Sequence, residues 1–155
     1  MGGTSHSSQS ALYEQEILEH NRNPRNFGAM DGAHAKAQGL NPLCGDDITV
    51  YLKLDGGTIA DVSFDGRCCA IAKASASMMT MLLKGKTKQE AEALFVDFHR
   101  LVTSDPSTPC DDKALGKLAA FSGIREFPVR IKCAILAWHA LLSAVDKTQE
   151  PVSTE

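Results

Sequence analysis

The sequence predicts an α+β domain: a small antiparallel three-stranded sheet packed against an N-terminal helix and several C-terminal helices. Three observations predict it. The stretch "DITVYLKLDGGTIADVSFDG" alternates apolar and polar residues on both sides of a glycine pair. That period of two ends near Cys69, and the Ala- and Met-rich run after it has no helix breaker before Gly85. A proline, Pro128, then stands at the head of a last long apolar segment.

Residues 11–22 ("ALYEQEILEHNR") place Leu12, Ile17 and Leu18 roughly on one helical face, and Asn23-Pro24 ends that helix. Ile48, Val50, Leu52 and Leu54 face one way while Thr49, Tyr51 and Lys53 face the other, as in a half-buried strand. Asp55-Gly56-Gly57 tolerates the positive φ of a tight hairpin, and Ala60, Val62 and Phe64 continue the alternation on the returning strand. Residues 33–40 are the candidate for the third strand. Thr87 and Glu90 form a T-x-x-E capping box opening "TKQEAEALFVDFHRLV". Asp111 and Asp112 favour the start of a short helix after the "SDPSTP" loop. In the last helix Val129, Cys133, Leu136 and Ala140 share one face.

A chain of 155 residues suits one domain, expected over residues 11–147, with a disordered leader at 1–10 and a disordered tail at 148–155. The formal charge of −3 speaks against nucleic-acid binding, which usually needs a basic stripe. No apolar run reaches the roughly 18 residues of a membrane span, so no membrane partner is expected. The N-terminus lacks the apolar core of a signal peptide, and the expected location is cytoplasmic. In that compartment the five cysteines (Cys44, Cys68, Cys69, Cys110, Cys133) are expected to be free, metal-bound or reactive, not paired as disulfides.

In "NPLCGDD", Pro42 and Gly45 bracket Cys44 in a tight loop, and Asp46 follows two residues later. A thiolate and a carboxylate so spaced can turn toward one ion. Cys69 falls at a predicted helix N-terminus, where amide donors and the helix dipole favour a thiolate. Cys133 lies near the start of the last helix. Three thiolates and a carboxylate complete a tetrahedral zinc set, and they equally suit an iron–sulfur cluster with one harder ligand. The plainer reading is that Cys133 is core filler on an apolar face, that Cys110 has no role, and that Asp46 caps a turn. The five histidines show no ligand spacing, and Met78, Met79 and Met81 read as core packing.

"LYEQEILEHNRNPRN", "NPLCGDD", "FDGRCCAIAKASASMM" and "FPVRIKCAILAW" occur in one order that resembles the U-type iron–sulfur assembly proteins. The resemblance runs from about Leu12 to about Lys147 and is strongest to the SufU branch, relatives of the IscU scaffolds. It implies a SufE/NifU-like fold, metal ligands at Cys44, Asp46, Cys69 and Cys133, and a PLP-dependent, SufS-like cysteine desulfurase as partner, alongside other Suf cluster-assembly proteins. It also implies zinc-dependent sulfur transfer, with Cys44 accepting persulfide sulfur. The alternative is a scaffold assembling a [2Fe–2S] cluster, or binding iron, on the same ligands. A third reading is a purely structural zinc domain.

Three departures from the scaffolds favour transfer. The scaffolds carry histidine before the last cysteine where this chain has Lys132, which offers no comparable ligand at neutral pH. Their Leu-Pro-Pro-Val-Lys stretch is represented only by "FPVRI", and "TSDPSTPCDDKALGKLAAFSG" resembles the SufU insertion. Cys68 stands where relatives have glycine. If that position needs positive φ, Cys68 is strained; otherwise it is filler or an auxiliary thiol.

Overall fold

The alternation around the glycine turn does build a hairpin. In the computed structural model, which describes residues 14–107, 113–146 and 152–153, β2 (Asp46–Asp55) pairs antiparallel with β3 (Thr58–Arg67). Ile48, Val50, Leu52, Ile59, Val62 and Phe64 point inward and are fully buried. The register shifts between Lys53 and Leu54, a local irregularity beside the turn. β1 (Ala35–Asn41) lies antiparallel on the other side of β2, so the expected third strand is present.

One element departs from expectation. Val152–Ser153, inside the tail expected to be disordered, forms a two-residue strand β4 parallel to β1, giving the order β3-β2-β1-β4. The outer edge of β1 has backbone groups that β2 cannot reach, and β4 pairs with them. The rest of that tail and the leader fall outside the described residues.

The helices cover one face of the sheet. Residues 14–22 form α1, ending at the expected Asn23-Pro24 stop. Cys69 caps α2 (Ala70–Leu83), and α3 (Lys88–Thr103) opens on the full Thr87/Glu90 capping box. A 3-10 segment, Lys113–Ile124, stands where a short helix was expected after Asp111 and Asp112, which themselves lie outside the described residues. It packs on α3. α4 (Pro128–Val145) begins at Pro128 as expected and crosses β1, β2 and α2. Its 18 residues are by length and composition apolar enough to cross a membrane, against the expectation that no run is. Here that apolar surface lies in the core, where Trp138 stacks on Phe98 at 5.0 Å.

Three apolar residues expected inside are half exposed: Leu18, Met81 and Val129. Met78 and Met79 are buried, and Met81 points away because α2 meets the core on one side near its end. Val129 lies on the first turn of α4, whose buried side chains begin only at Cys133. For Val129 the limit of the contact decides where along the helix its face is covered, whereas Leu18 lies off the buried face of α1, between buried Ile17 and His20.

Candidate metal centre

Three chain segments meet at the rim of the sheet where β2 begins. The β1–β2 turn brings Cys44, the first residue of β2 is Asp46, the β3–α2 junction brings Cys69, and the second turn of α4 brings Cys133. Asp46 and Cys133 are 3% exposed, whereas Cys44 and Cys69 are half-buried. The four candidate residues are therefore together, as a partly buried cluster of sulfur and carboxylate instead of four separate surface positions.

The ligand atoms of Cys44, Asp46 and Cys133 lie within 4.8 Å of one another, close enough to hold one metal ion. Cys69 joins through Asp46: its Sγ is 3.6 Å from Asp46 Oδ2, and its backbone N–H donates to Asp46 Oδ1 at 2.7 Å. The Cys133 thiol donates to Cys44 Sγ at 3.0 Å. The carboxylate of Asp46 thus holds the start of α2 in place while presenting its second oxygen to the sulfurs.

Cys69 has the setting of a thiolate. Its Sγ accepts from the Ala72 N–H at 3.4 Å as the N-cap of α2, in addition to a hydrogen bond with Cys133. The bond with Cys133, foremost, and the helix amides behind it lower the pKa of Cys69 against the opposing effect of burial. Cys133 goes the other way: its bond to the Cys69 sulfur, then burial, then Cys44 hold its proton on. The two shifts run in opposite directions, and the amides at the start of α2 favour the charged form on Cys69 over Cys133.

Cys68 is a different kind of residue. Its thiol is pushed up to about 12, first by burial and next by the Asp46 charge, and its side chain packs against the hydrophobic core. The strain considered for it is absent, since Asn26 is the one non-glycine with positive φ among the described residues. Gly66 takes that role two residues earlier, at φ 124°. A Cβ there would sit 2.0 Å from the Asp47 carbonyl oxygen, so the approach of β3 to β2 admits only glycine. Cys110 lies outside the described residues.

Sequence reasoning missed Asn41. It is fully buried, its side-chain Nδ2 donates to Cys133 Sγ at 3.6 Å, and its carbonyl accepts from the Cys44 N–H at 3.2 Å. The signal was available: Ala37, Gly39 and Asn41 fall on one face of β1 by the strand period, which points the amide inward. His20, set aside as a ligand, is buried far from the rim and bonds Ser77 Oγ through Nδ1 at 2.7 Å.

A sheet carrying a thiol- and carboxylate-lined candidate metal centre at its rim, roofed by helices, defines an α+β assembly domain with ligands drawn from distant segments. The chain belongs to the NifU-like N-terminal domain family, whose model matches residues 12–134, together with SufU and IscU proteins of iron–sulfur cluster assembly. It is 40% identical to the zinc-dependent sulfurtransferase SufU of Bacillus subtilis (strain 168), over 89% of this chain and 92% of that one. It is 39% identical to the iron–sulfur cluster assembly scaffold protein IscU of Streptococcus pyogenes serotype M1, over 92% of this chain and 87% of that one. Among solved structures, a putative SUF-system scaffold protein from Fervidobacterium islandicum AW-1 superimposes with a TM-score of 0.78 at 32% identity, covering 87% of this chain and 97% of its own.

Proposed function

We propose that this protein is a zinc-dependent sulfur acceptor in iron–sulfur cluster biogenesis, acting in the cytoplasm with a PLP-dependent, SufS-like cysteine desulfurase. One observation carries the reading. Cys44 is a half-buried thiol on a turn, and it faces the Asp46 carboxylate and the Cys133 thiol, which are held by regular structure and adjoin Cys69. The name of the Bacillus subtilis relative supports the same reading.

The donor set fits zinc. Tetrahedral zinc with sulfur at about 2.3 Å and oxygen near 2.0 Å implies an O···S edge of roughly 3.5 Å and an S···S edge of roughly 3.8 Å. The Asp46–Cys69 separation of 3.6 Å matches the first. The Cys133–Cys44 separation of 3.0 Å is shorter than the second, and Cys44, on its turn, is the ligand free to open it. Bound zinc would keep the coordinating thiols deprotonated at neutral pH.

Cys44 is the acceptor and Asp46, Cys69 and Cys133 are the remaining ligands. The Cys44 thiolate attacks the outer sulfur of the desulfurase persulfide. The new bond is Cys44 Sγ–S; the bond broken joins that sulfur to the desulfurase cysteine, which leaves as a thiolate. No net oxidation occurs. Asp46 keeps the β3–α2 junction closed through the Cys69 amide while Cys44 turns outward.

Desulfurase turnover with and without this protein, repeated after zinc removal, tests the reading. Cys44→Ala is expected to abolish stimulation and persulfide labelling of this chain. Asp46→Ala should weaken both, although Asp46 carries no sulfur. Normal labelling of Cys44→Ala would sink the assignment of Cys44. The scaffold reading is favoured by the name of the Streptococcus pyogenes relative and by the same donor set. Anaerobic purification with metal analysis separates the two: zinc without cluster absorbance supports transfer, and a [2Fe–2S] chromophore supports the scaffold.

A further inference from the structure

Among the described residues, Asn41 is the one buried polar side chain at the centre that neither the proposed ligand set nor the sulfur chemistry uses. It ends β1, in register opposite Asp46, and is fully shielded from solvent. Its Oδ1 has no hydrogen-bond partner among the described residues. A leucine would fill a similar volume without stranding a buried acceptor, so the amide is kept at a cost in stability. What it supplies, and leucine cannot, is an N–H aimed at sulfur.

The ligands divide by their donors. Asp46 receives the Cys69 N–H, Cys69 Sγ receives the Ala72 N–H, and Cys133 Sγ receives Asn41 Nδ2. Among the described residues Cys44 Sγ receives no N–H, and its one hydrogen bond is the Cys133 thiol proton. That proton is lost once Cys133 binds metal. Three thiolates and a carboxylate around one dication leave surplus negative charge, which neutral N–H donors offset where water is excluded. The ligand without a donor is the one most easily exchanged.

We propose that Asn41 is a positioning residue of the metal centre. Its side-chain N–H holds the Cys133 thiolate, while its carbonyl anchors the turn carrying Cys44. One residue thereby fixes one thiolate and tethers the other by backbone alone, so that Cys44 and not Cys133 leaves the metal. This rests on the zinc reading above.

The test compares wild type, Asn41→Leu and Asn41→Asp by chelator competition for zinc, by the thiolate-to-metal absorption of the cobalt(II)-substituted protein, and by melting of the metal-free protein. Asn41→Leu should keep the metal-free melting temperature or raise it, yet bind zinc roughly 10- to 100-fold more weakly. Its cobalt charge-transfer bands should move to lower energy, because sulfur lone pairs without a hydrogen bond are easier to ionise. Asn41→Asp, which sets an acceptor against the thiolate, should bind more weakly still. Wild-type zinc affinity and an unshifted cobalt spectrum in Asn41→Leu would overturn the role of Asn41 and leave the zinc reading standing. A wild-type protein that binds neither zinc nor cobalt at the thiols overturns both. Should Asn41→Leu fold poorly, the cobalt spectrum of its folded fraction decides, since a merely structural asparagine leaves band energies unmoved.

Discussion

The β1–β2 turn and the β3–α2 junction lie side by side at the rim and each delivers a cysteine, yet they are built oppositely. The turn exposes Leu43 at 66%, and its internal backbone hydrogen bonds, Cys44 to Asn41 and Gly45 to Pro42, are long, at 3.2 and 3.3 Å. The junction is locked: Gly66 presses on the β2 backbone, the Cys69 amide bonds Asp46, and Cys69 caps α2. Neither thiol is special by residue type. The support around each makes one a fixture and the other a group able to move, and sulfur transfer through a metal site needs one of each.

The two glycines measure that contrast most directly. Gly66→Ala drives a Cβ into the Asp47 carbonyl at φ 124°, and a loss of about 4 kcal/mol of stability is expected in denaturant titration. Gly45→Ala, at φ 72° with nothing within 4 Å, should cost about 1 kcal/mol. Equal losses would break the distinction between locked and loose segments.

Cys68 and Cys69 sharpen it within the junction. Cys68→Ala should lower stability by about 1 kcal/mol through lost packing and leave zinc affinity unchanged. With its thiol pushed up to about 12, Cys68 should also react more slowly with iodoacetamide at pH 8 than its neighbour Cys69, whose pKa is lowered, read by peptide mass spectrometry. Rapid Cys68 labelling in folded protein would show that the junction opens.

The smallest effect belongs to a control away from the rim. Burial foremost, then the Arg25 charge, lowers the pKa of His20, with Glu16 and Glu19 opposing and Lys117 assisting. The unfolded chain therefore takes up the His20 proton more readily than the folded one. The stability contribution is complete above the unfolded pKa of about 6.5 and declines as pH falls below it toward the lowered folded value. His20→Gln, which can still bond Ser77, should flatten this part of the stability profile without altering zinc binding.

Much of the fold was legible because its signals are local. The period-two alternation of residues 48–64, the Thr87/Glu90 box and Pro128 each specify an element through a few neighbouring residues, and each element is present. The strand β4 was not legible, because it depends on an edge that exists only after β1 and β2 have paired. The exposure of Met81 and Val129 likewise depends on where packed partners stop.

The candidate centre divides in the same way. Residue chemistry in the sequence determined which groups can bind metal or attack sulfur: thiols at Cys44, Cys69 and Cys133, a carboxylate at Asp46, and a helix start at Cys69. Tertiary structure alone decided how they are ranked. It put Asn41 under Cys133, lowered the pKa of Cys69 while raising that of Cys133, packed Cys68 against the core, and left Cys44 Sγ without an N–H donor among the described residues. The reason is physical: a side chain's type sets what it can donate or accept, but the strength and freedom of each bond depend on burial and direction. Those arise only when Asn41, Asp46, Cys69 and Cys133, up to 92 residues apart in the chain, are brought to one rim.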